Sequence, residues 1–116
     1  GSPLPGGAEW VGLPALMAQC EEEARGLDGV LGKSLVLNFA PAPPLEVSGS
    51  GAEILSAMSN LVTNAIRYTP AGGTIDAGWR QLPDGRVAFS VRDSGGAYDA
   101  WRGAGASHPR TPIALA

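Results

Sequence analysis

The sequence predicts a two-layer α/β fold with two helices and a mixed, mainly antiparallel sheet on which the helices occupy one face. Two segments repeat apolar residues at steps of three and four, which is the spacing of an amphipathic helix. Shorter segments alternate apolar and polar residues, as half-buried strands do. The chain has 116 residues and 44% hydrophobic content, so we expect one domain with a small core.

The first helix is predicted to begin at Leu13 and to stop at Gly29. Pro14 suits a first helical turn, where its missing N–H costs nothing. Residues 1–9 have no periodicity and are predicted to be a flexible lead-in, with Gly1-Ser2 resembling the scar of a removed affinity tag. The apolar positions of the helix are Leu16, Met17, Cys20, Ala24 and Leu27.

A strand is predicted over residues 35–39, ended by the Pro-rich segment APAPP, and a brief strand over 45–47. Ser50 and Glu53 form an S-x-x-E capping pair that opens the second helix. Residues 74–81 and 86–93 are predicted to form a hairpin around Pro83-Asp84-Gly85. The apolar stripe of the second helix comprises Ile54, Leu55, Met58, Leu61, Val62, Ala65 and Ile66.

Charge and cysteine content exclude several classes of function. The net charge is −3 and no dense Lys/Arg run occurs, so we expect no nucleic-acid partner. Cys20 is the only cysteine and lies on an apolar helix stripe, which predicts a buried structural thiol in a reducing compartment. No apolar run is long enough to cross a bilayer, so we expect a cytoplasmic chain without membrane contact.

Asn60 and Asn64 lie one turn apart on the second helix, away from its apolar stripe. An amide oxygen can help to hold Mg²⁺ beside phosphates, and the NH₂ group can donate to phosphate oxygens. Arg67 adds a positive charge one turn further on. A bare Asn-x-x-x-Asn pair is more often simply solvated, so the surrounding sequence has to decide between the two interpretations.

That surrounding sequence is NLVTNAIRYTPAGGTI. It resembles the N box of sensor histidine kinases, N-L-x-x-N-A-x-(K/R)-(Y/F)-T-P-x-G-G-x-I, in the Bergerat-type ATP-binding fold, and it matches every position. The resemblance implies that Asn64 coordinates Mg²⁺ and that Asn60 and Arg67 contact the phosphates of ATP. It also implies that Tyr68 lies near the nucleotide.

Asp93 ends the last predicted strand and is followed by Ser94-Gly95, which is similar to the D-x-G of the family's first glycine box. The resemblance implies that this carboxylate accepts a hydrogen bond from the adenine amino group. A carboxylate at a strand end is a directional acceptor, and Gly95 would let the backbone approach a flat base. Without the N box, an ordinary Asp-Ser-Gly turn would be the better interpretation.

The resemblance also indicates the class of reaction. ATPases of this fold commonly have a glutamate one turn before the metal-binding asparagine, whereas this sequence has Asn60. A missing base favours phosphotransfer to a histidine over hydrolysis of ATP. We therefore expect a parent kinase whose partners are a histidine-bearing dimerisation domain and, indirectly, a response regulator, and we assign no catalytic residue to this chain.

The resemblance runs from Trp10, in W-V-x-L-P-x-L, to Gly95. The family continues with D-x-G-x-G-I, an ATP lid, a phenylalanine motif and a G-x-G-L-G-L box, and none of these follows. Residues 10–95 are therefore predicted to be a partial ATP-binding domain with weak or no affinity for ATP. Residues 96–116 are predicted to be an irregular tail, whose Gly/Ala/Pro/Arg composition resembles out-of-frame translation.

A second hypothesis is a non-catalytic dimerisation or interaction module derived from the same fold. Missing layers would leave apolar surface and strand edges uncovered, so a homodimer or a strand-exchanged assembly is expected. His108 is interpreted as a solvated residue rather than a phosphoacceptor. Trp10 and Trp79 are predicted at the core or its edge, and Trp101 is given no role.

Overall fold

The computed structural model describes residues 9–94, which form two helices and five strands. Gly95, residues 1–8 and the predicted tail with His108 and Trp101 lie outside the described residues. The predicted α/β fold is confirmed. In chain order the elements are β1 (Glu9–Gly12), α1 (Leu13–Leu31), β2 (Val36–Phe39), β3 (Glu46–Gly49), α2 (Gly51–Tyr68), β4 (Thr74–Gln81) and β5 (Val87–Asp93).

The strands form two sheets. β1 and β3 pair in an antiparallel ribbon, with Val11 opposite Val47. The other sheet has the order β2-β4-β5, with β2 parallel and β5 antiparallel to β4. The strand at Glu9–Gly12 was not predicted, because four residues are too few to show a period and its stability comes from β3.

α1 begins and is buried as predicted, but it ends later. Pro14 lies in the first turn, and Cys20 is 1% exposed. The predicted stop at Gly29 is wrong, because the helix continues to Leu31. Gly32 ends it in the left-handed conformation (φ 65°), and the N–H of Gly32 donates to the carbonyl of Asp28 at 2.8 Å.

α2 begins at the predicted cap, where the Ser50 hydroxyl accepts a hydrogen bond from the backbone N–H of Glu53. Its buried stripe packs against α1 and the three-stranded sheet. Five of the seven predicted apolar positions are fully buried and two are partly buried. Between residues 9 and 94, neither helix is long and apolar enough to cross a membrane.

The hairpin of β4 and β5 forms at the predicted turn. The N–H of Leu82 donates to the carbonyl of Arg86, and Gly85 adopts a φ of 90°, as a three-residue hairpin loop requires. Trp79 is buried and packs against Phe89, with ring centroids 5.3 Å apart. Trp10 is 48% exposed on β1, so of the two predicted places, the core or its edge, the core is excluded.

Candidate functional site

The polar side of α2 presents its amides to solvent. Asn60 and Asn64 are both exposed and are separated by one helical turn. Arg67 and Tyr68 continue the same side of the helix and are also exposed, Tyr68 to 78%. These four residues form a stripe of hydrogen-bonding groups, called here the amide stripe, along a helix whose other side is anchored in the core.

The end of α2 that bears Arg67 and Tyr68 is held by a lysine from the loop after α1. The ammonium group of Lys33 donates to the carbonyls of Ile66 (2.8 Å), Arg67 (2.7 Å) and Thr69 (3.0 Å). These carbonyls would otherwise lack intrahelical partners. The carbonyl of Lys33 also accepts from the N–H of Gly72 at 2.9 Å, so this loop secures the turn after the helix as well.

The turn after α2 contacts the end of β5, where Asp93 lies. A Cβ added to Gly73 would lie 2.5 Å from Thr69 Cγ2 and 3.1 Å from Ser94 Oγ, so only glycine fits between them. The Ser94 hydroxyl accepts from the N–H of Thr74, and the N–H of Ser94 donates to the carbonyl of Thr74, both at 2.9 Å. Asp93 is thus fixed beside the segment that leaves the amide stripe.

Two polar groups are buried near this junction. Asp93 is 8% exposed and Thr69 is fully buried. The Thr69 hydroxyl has no hydrogen-bond partner among the residues that the structure describes. A buried hydroxyl without a hydrogen bond costs free energy unless water or another group bonds to it. The Thr69 hydroxyl can therefore still form a hydrogen bond between α2 and β5.

Sequence reasoning did not single out Lys33 or Thr69. Lys33 carried one usable signal, because it is the only lysine of the chain and follows a helix-ending glycine. Nothing in the sequence indicated that Thr69 is buried, because it is simply the threonine between Tyr68 and Pro70. The positions of Asn60, Asn64, Arg67, Tyr68 and Asp93 are now defined, and Gly95 lies outside the described residues.

A separate concavity of about 620 Å³ lies on the other face of the three-stranded sheet. Polar groups of β2, β4 and β5 line it together with Glu21 and Arg25 of α1, and Asn38 donates to the Asp76 carboxylate at 2.9 Å within it. No residue of the amide stripe lines this concavity, and Asp93 does not either. The predicted site and this concavity are therefore different places.

Cys20 is unsuited to nucleophilic chemistry. Burial, followed by the charge of Glu23, raises the pKa of its thiol to about 12, although a hydrogen bond with Ser59 opposes the shift. The thiol therefore remains neutral at physiological pH, and the prediction of a buried, unreactive cysteine is confirmed.

No family model matches the chain. Among individual proteins, it is 37% identical over 91 residues to the phosphate regulon sensor protein PhoR of Pseudomonas aeruginosa. That match covers 78% of this chain and 20% of PhoR, so the chain spans about a fifth of that relative.

Solved structures match the fold at lower sequence identity. The mycobacterial sensor histidine kinase MprB superposes with a TM-score of 0.66 at 21% identity, covering 75% of this chain and 54% of that one. The catalytic domain of histidine kinase ThkA superposes with a TM-score of 0.65 at 22% identity, covering 78% of this chain and 60% of that one. Full-length ShkA in complex with AMPPNP superposes with a TM-score of 0.62 at 21% identity, covering 81% of this chain and 20% of that one.

The fold is therefore that of histidine kinase catalytic domains. The sequence match to PhoR and this fold together relate the chain to sensor histidine kinases.

Proposed function

We propose that this chain supplies the Mg-ATP site of a two-component sensor histidine kinase whose parent transfers the γ-phosphoryl group to a histidine. The observation that supports this most directly is the exposed amide stripe on α2, whose end is joined to the strand end bearing Asp93. The complex of ShkA with AMPPNP, an ATP analogue, supports a nucleotide ligand for this fold.

The residues present fit the chemistry of a magnesium nucleotide. No group of three or more His, Cys, Asp or Glu side chains within residues 9–94 could hold a metal by itself. Mg²⁺ commonly takes few protein ligands and the rest from phosphates and water, so one amide oxygen from Asn64 suffices. Asn60 and Arg67 would bind the phosphates, and Tyr68 would lie near the nucleotide.

Asp93 and Gly95 would bind the base. The Asp93 carboxylate would accept the adenine amino hydrogen at a fixed strand end. Burial of the carboxylate removes competing water, which makes its hydrogen bond more selective. In this proposal α2 binds the metal and the phosphates, and the end of β5 recognises the base.

Within residues 9–94, we propose that the chain binds and orients ATP and contributes no general base. Position 60 bears an amide, which cannot remove a proton from water, so the γ-phosphoryl group would be kept for a histidine of the parent's dimerisation domain. A response regulator would receive it afterwards. We place this activity on the cytoplasmic part of a membrane-bound sensor, within a domain spanning residues 10–95.

We expect weak affinity from these 116 residues. The family's G-x-G-L-G-L box does not occur in the sequence, and backbone N–H groups of such a loop normally preorganise phosphate binding. Isothermal titration with Mg-ATP measures this directly. An affinity equal to that of an intact kinase would contradict the expected weakness.

Two matched pairs of variants test the site itself. Asn64→Ala should lower the affinity for Mg-ATP about tenfold or more, because it removes the amide oxygen that would coordinate Mg²⁺. Asn38→Ala is the control, since Asn38 is an exposed asparagine on the other face of the sheet. Asp93→Asn should weaken binding of ATP, and Asp76→Asn should not.

Equal effects of the site and control variants would contradict the proposed site. If the unmodified chain binds no Mg-ATP at any concentration tested, the nucleotide proposal fails. The non-catalytic dimerisation or interaction module would then take its place.

A further inference from the structure

The C-terminal end of α2 is not closed by its own chain in the usual way. Many helices end at a left-handed glycine whose N–H bonds back to the last turn. Here the helix is followed by Thr69 and Pro70. Thr69 is extended (φ −82°, ψ 129°), as residues before proline are, and Pro70 has no N–H to offer the carbonyl of Ile66 four residues earlier. The last carbonyls of α2 therefore depend on a donor from outside the helix.

The ammonium group of Lys33 is that donor, and it uses its whole hydrogen-bonding capacity there. An ammonium group has three N–H donors, and this one bonds three carbonyls, those of Ile66, Arg67 and Thr69. These bonds fix the backbone that carries the Arg67 side chain. Because all three N–H groups are used, Lys33 has none left for a phosphate.

The loop that carries Lys33 is itself fixed by α1. The backbone carbonyl of Asp28 accepts from the N–H of Gly32 at 2.8 Å, and its carboxylate accepts from the N–H of Leu35 at 3.1 Å. Between them, Ser34 has a φ of 53°, which residues other than glycine rarely adopt. Such a conformation persists only where the surroundings impose it. Lys33 therefore extends from a backbone with a defined position.

The same loop also secures the turn between α2 and β4. The carbonyl of Lys33 accepts from the N–H of Gly72 at 2.9 Å. The next residue, Gly73, packs closely beside Ser94, which adjoins Asp93. The loop after α1 is thus bonded to the end of α2 and to the turn that lies against the end of β5.

We propose that Lys33 is a positioning residue of the nucleotide site: without touching ATP, it orients Arg67 relative to Asp93. The inference rests on the proposed function, because it assigns a role within that Mg-ATP site. A ligand that is bound by two elements at once requires them to keep a fixed separation, and supporting hydrogen bonds are what maintain it. Lys33 belongs to a loop that contacts the phosphate-binding part and the turn beside the base-binding part.

The geometry of the contact favours a lysine at position 33. The three N–H donors of an ammonium group radiate from one nitrogen, which suits three carbonyls that converge on one point. A guanidinium group spreads its donors over a planar fork. Lys33→Arg would keep the charge but not this geometry. The variant therefore separates positioning from simple attraction between a positive charge and the phosphates.

Titration with Mg-ATP followed by amide NMR spectra tests the role, because the spectra also show whether each variant is folded. Lys33→Met should raise the Kd about three- to tenfold, as expected when one member of a hydrogen-bond network is lost. Ser50→Ala is the matched control, since it removes the cap at the other end of α2, roughly 25–30 Å away. It weakens the same helix but should change the Kd less than about twofold.

A double-mutant cycle with Arg67→Ala tests whether Lys33 acts through Arg67. In the Arg67→Ala background, Lys33→Met should change the Kd less than about twofold, because the group that Lys33 positions is gone. A general loss of stability would instead give the same fold-change in both backgrounds. Lys33→Arg should recover only part of the affinity that Lys33→Met loses.

Equal changes in Kd for Lys33→Met and Ser50→Ala would overturn the proposal, and so would equal effects of Lys33→Met with and without Arg67. Full affinity in Lys33→Arg would overturn it too, because charge alone would then be sufficient. This last comparison decides the matter if Lys33→Met does not fold.

The outcomes also separate this inference from the proposed function. If the unmodified chain binds Mg-ATP and the variants behave as the control does, only the positioning role of Lys33 fails. If the unmodified chain binds no Mg-ATP, the proposed function fails and the positioning role fails with it.

Discussion

Replacement of Lys33 by methionine tests how the end of α2 is held. Methionine keeps an unbranched apolar stem and removes the ammonium group, which leaves the carbonyls of Ile66, Arg67 and Thr69 without their donor. The bonds to Ile66 and Thr69 are partly buried, and the bond to Arg67 is exposed, so water can replace the last of them most easily.

The magnitude follows from these contacts. A hydrogen bond from a charged donor contributes about 1.5–3 kcal/mol, and a cation at a helix C-terminus about 0.3–1 kcal/mol. Because one ammonium group makes all three bonds and water recovers part of the loss, we expect Lys33→Met to lower the free energy of unfolding by about 2–3 kcal/mol. Lys33→Arg should lose less of the free energy of unfolding, since it keeps the charge.

Urea denaturation followed by tryptophan fluorescence measures the change, with Trp79 as a buried reporter. Arg80→Met is the matched control, because the Arg80 side chain is an exposed cation that makes no hydrogen bond to another described residue. Its effect should stay within about 0.5 kcal/mol. Equal effects of Lys33→Met and Arg80→Met would refute the reasoning.

Two further predictions concern burial and packing. The pKa of Cys20 rises from 9.0 to about 12 on folding, so its contribution to stability is complete below about pH 9 and is lost as the pH rises toward 12, at up to about 1.4 kcal/mol per pH unit. Urea denaturation at pH values from 8 to 11 measures how the free energy of unfolding falls with pH, and Cys20→Ser should make this fall smaller. If the free energies of the unmodified chain and the variant fall in parallel, the assignment is contradicted. Gly73→Ala should destabilise by roughly 1–3 kcal/mol because its Cβ would overlap Thr69, whereas Gly29→Ala, on an open helical site, should stabilise by about 0.5–1 kcal/mol. Thermal melting compares the two variants, and an unchanged or raised melting temperature for Gly73→Ala would show that crowding at Gly73 is unimportant.

Local patterns predicted the elements that have enough length to show a period. The capping pair at Ser50 and the apolar stripe of α2 defined that helix, and alternation with a glycine turn defined the β4–β5 hairpin. The amide stripe followed from the same helical spacing. The end of α1 was misplaced because Gly29 and Gly32 are both plausible stops, and the conformation of the backbone at Gly32 decides between them.

The sequence predicts where the residues of the candidate site lie along the chain and on α2, but not the contacts that support them. Asn60 and Asn64 could be placed on one side of a helix by counting residues, because side-chain direction within a helix is a local property. The contact of Lys33 with carbonyls more than thirty residues away has no local pattern. The fit of Gly73 between Thr69 and Ser94 likewise depends on how α2 meets β5.

Apolar spacing, cap residues and turn residues were enough to establish the α/β class, α2 and the hairpin, and the string NLVTNAIRYTPAGGTI was enough for the family resemblance. Each of these is a relation between neighbours in the chain. The pairing of β1 with β3, and the hydrogen bonds of Asp28 and Arg25 with the backbone of Leu35 and Leu37, required tertiary structure. Such features arise when segments distant in sequence meet, and their energies depend on distances that neighbouring residues do not specify.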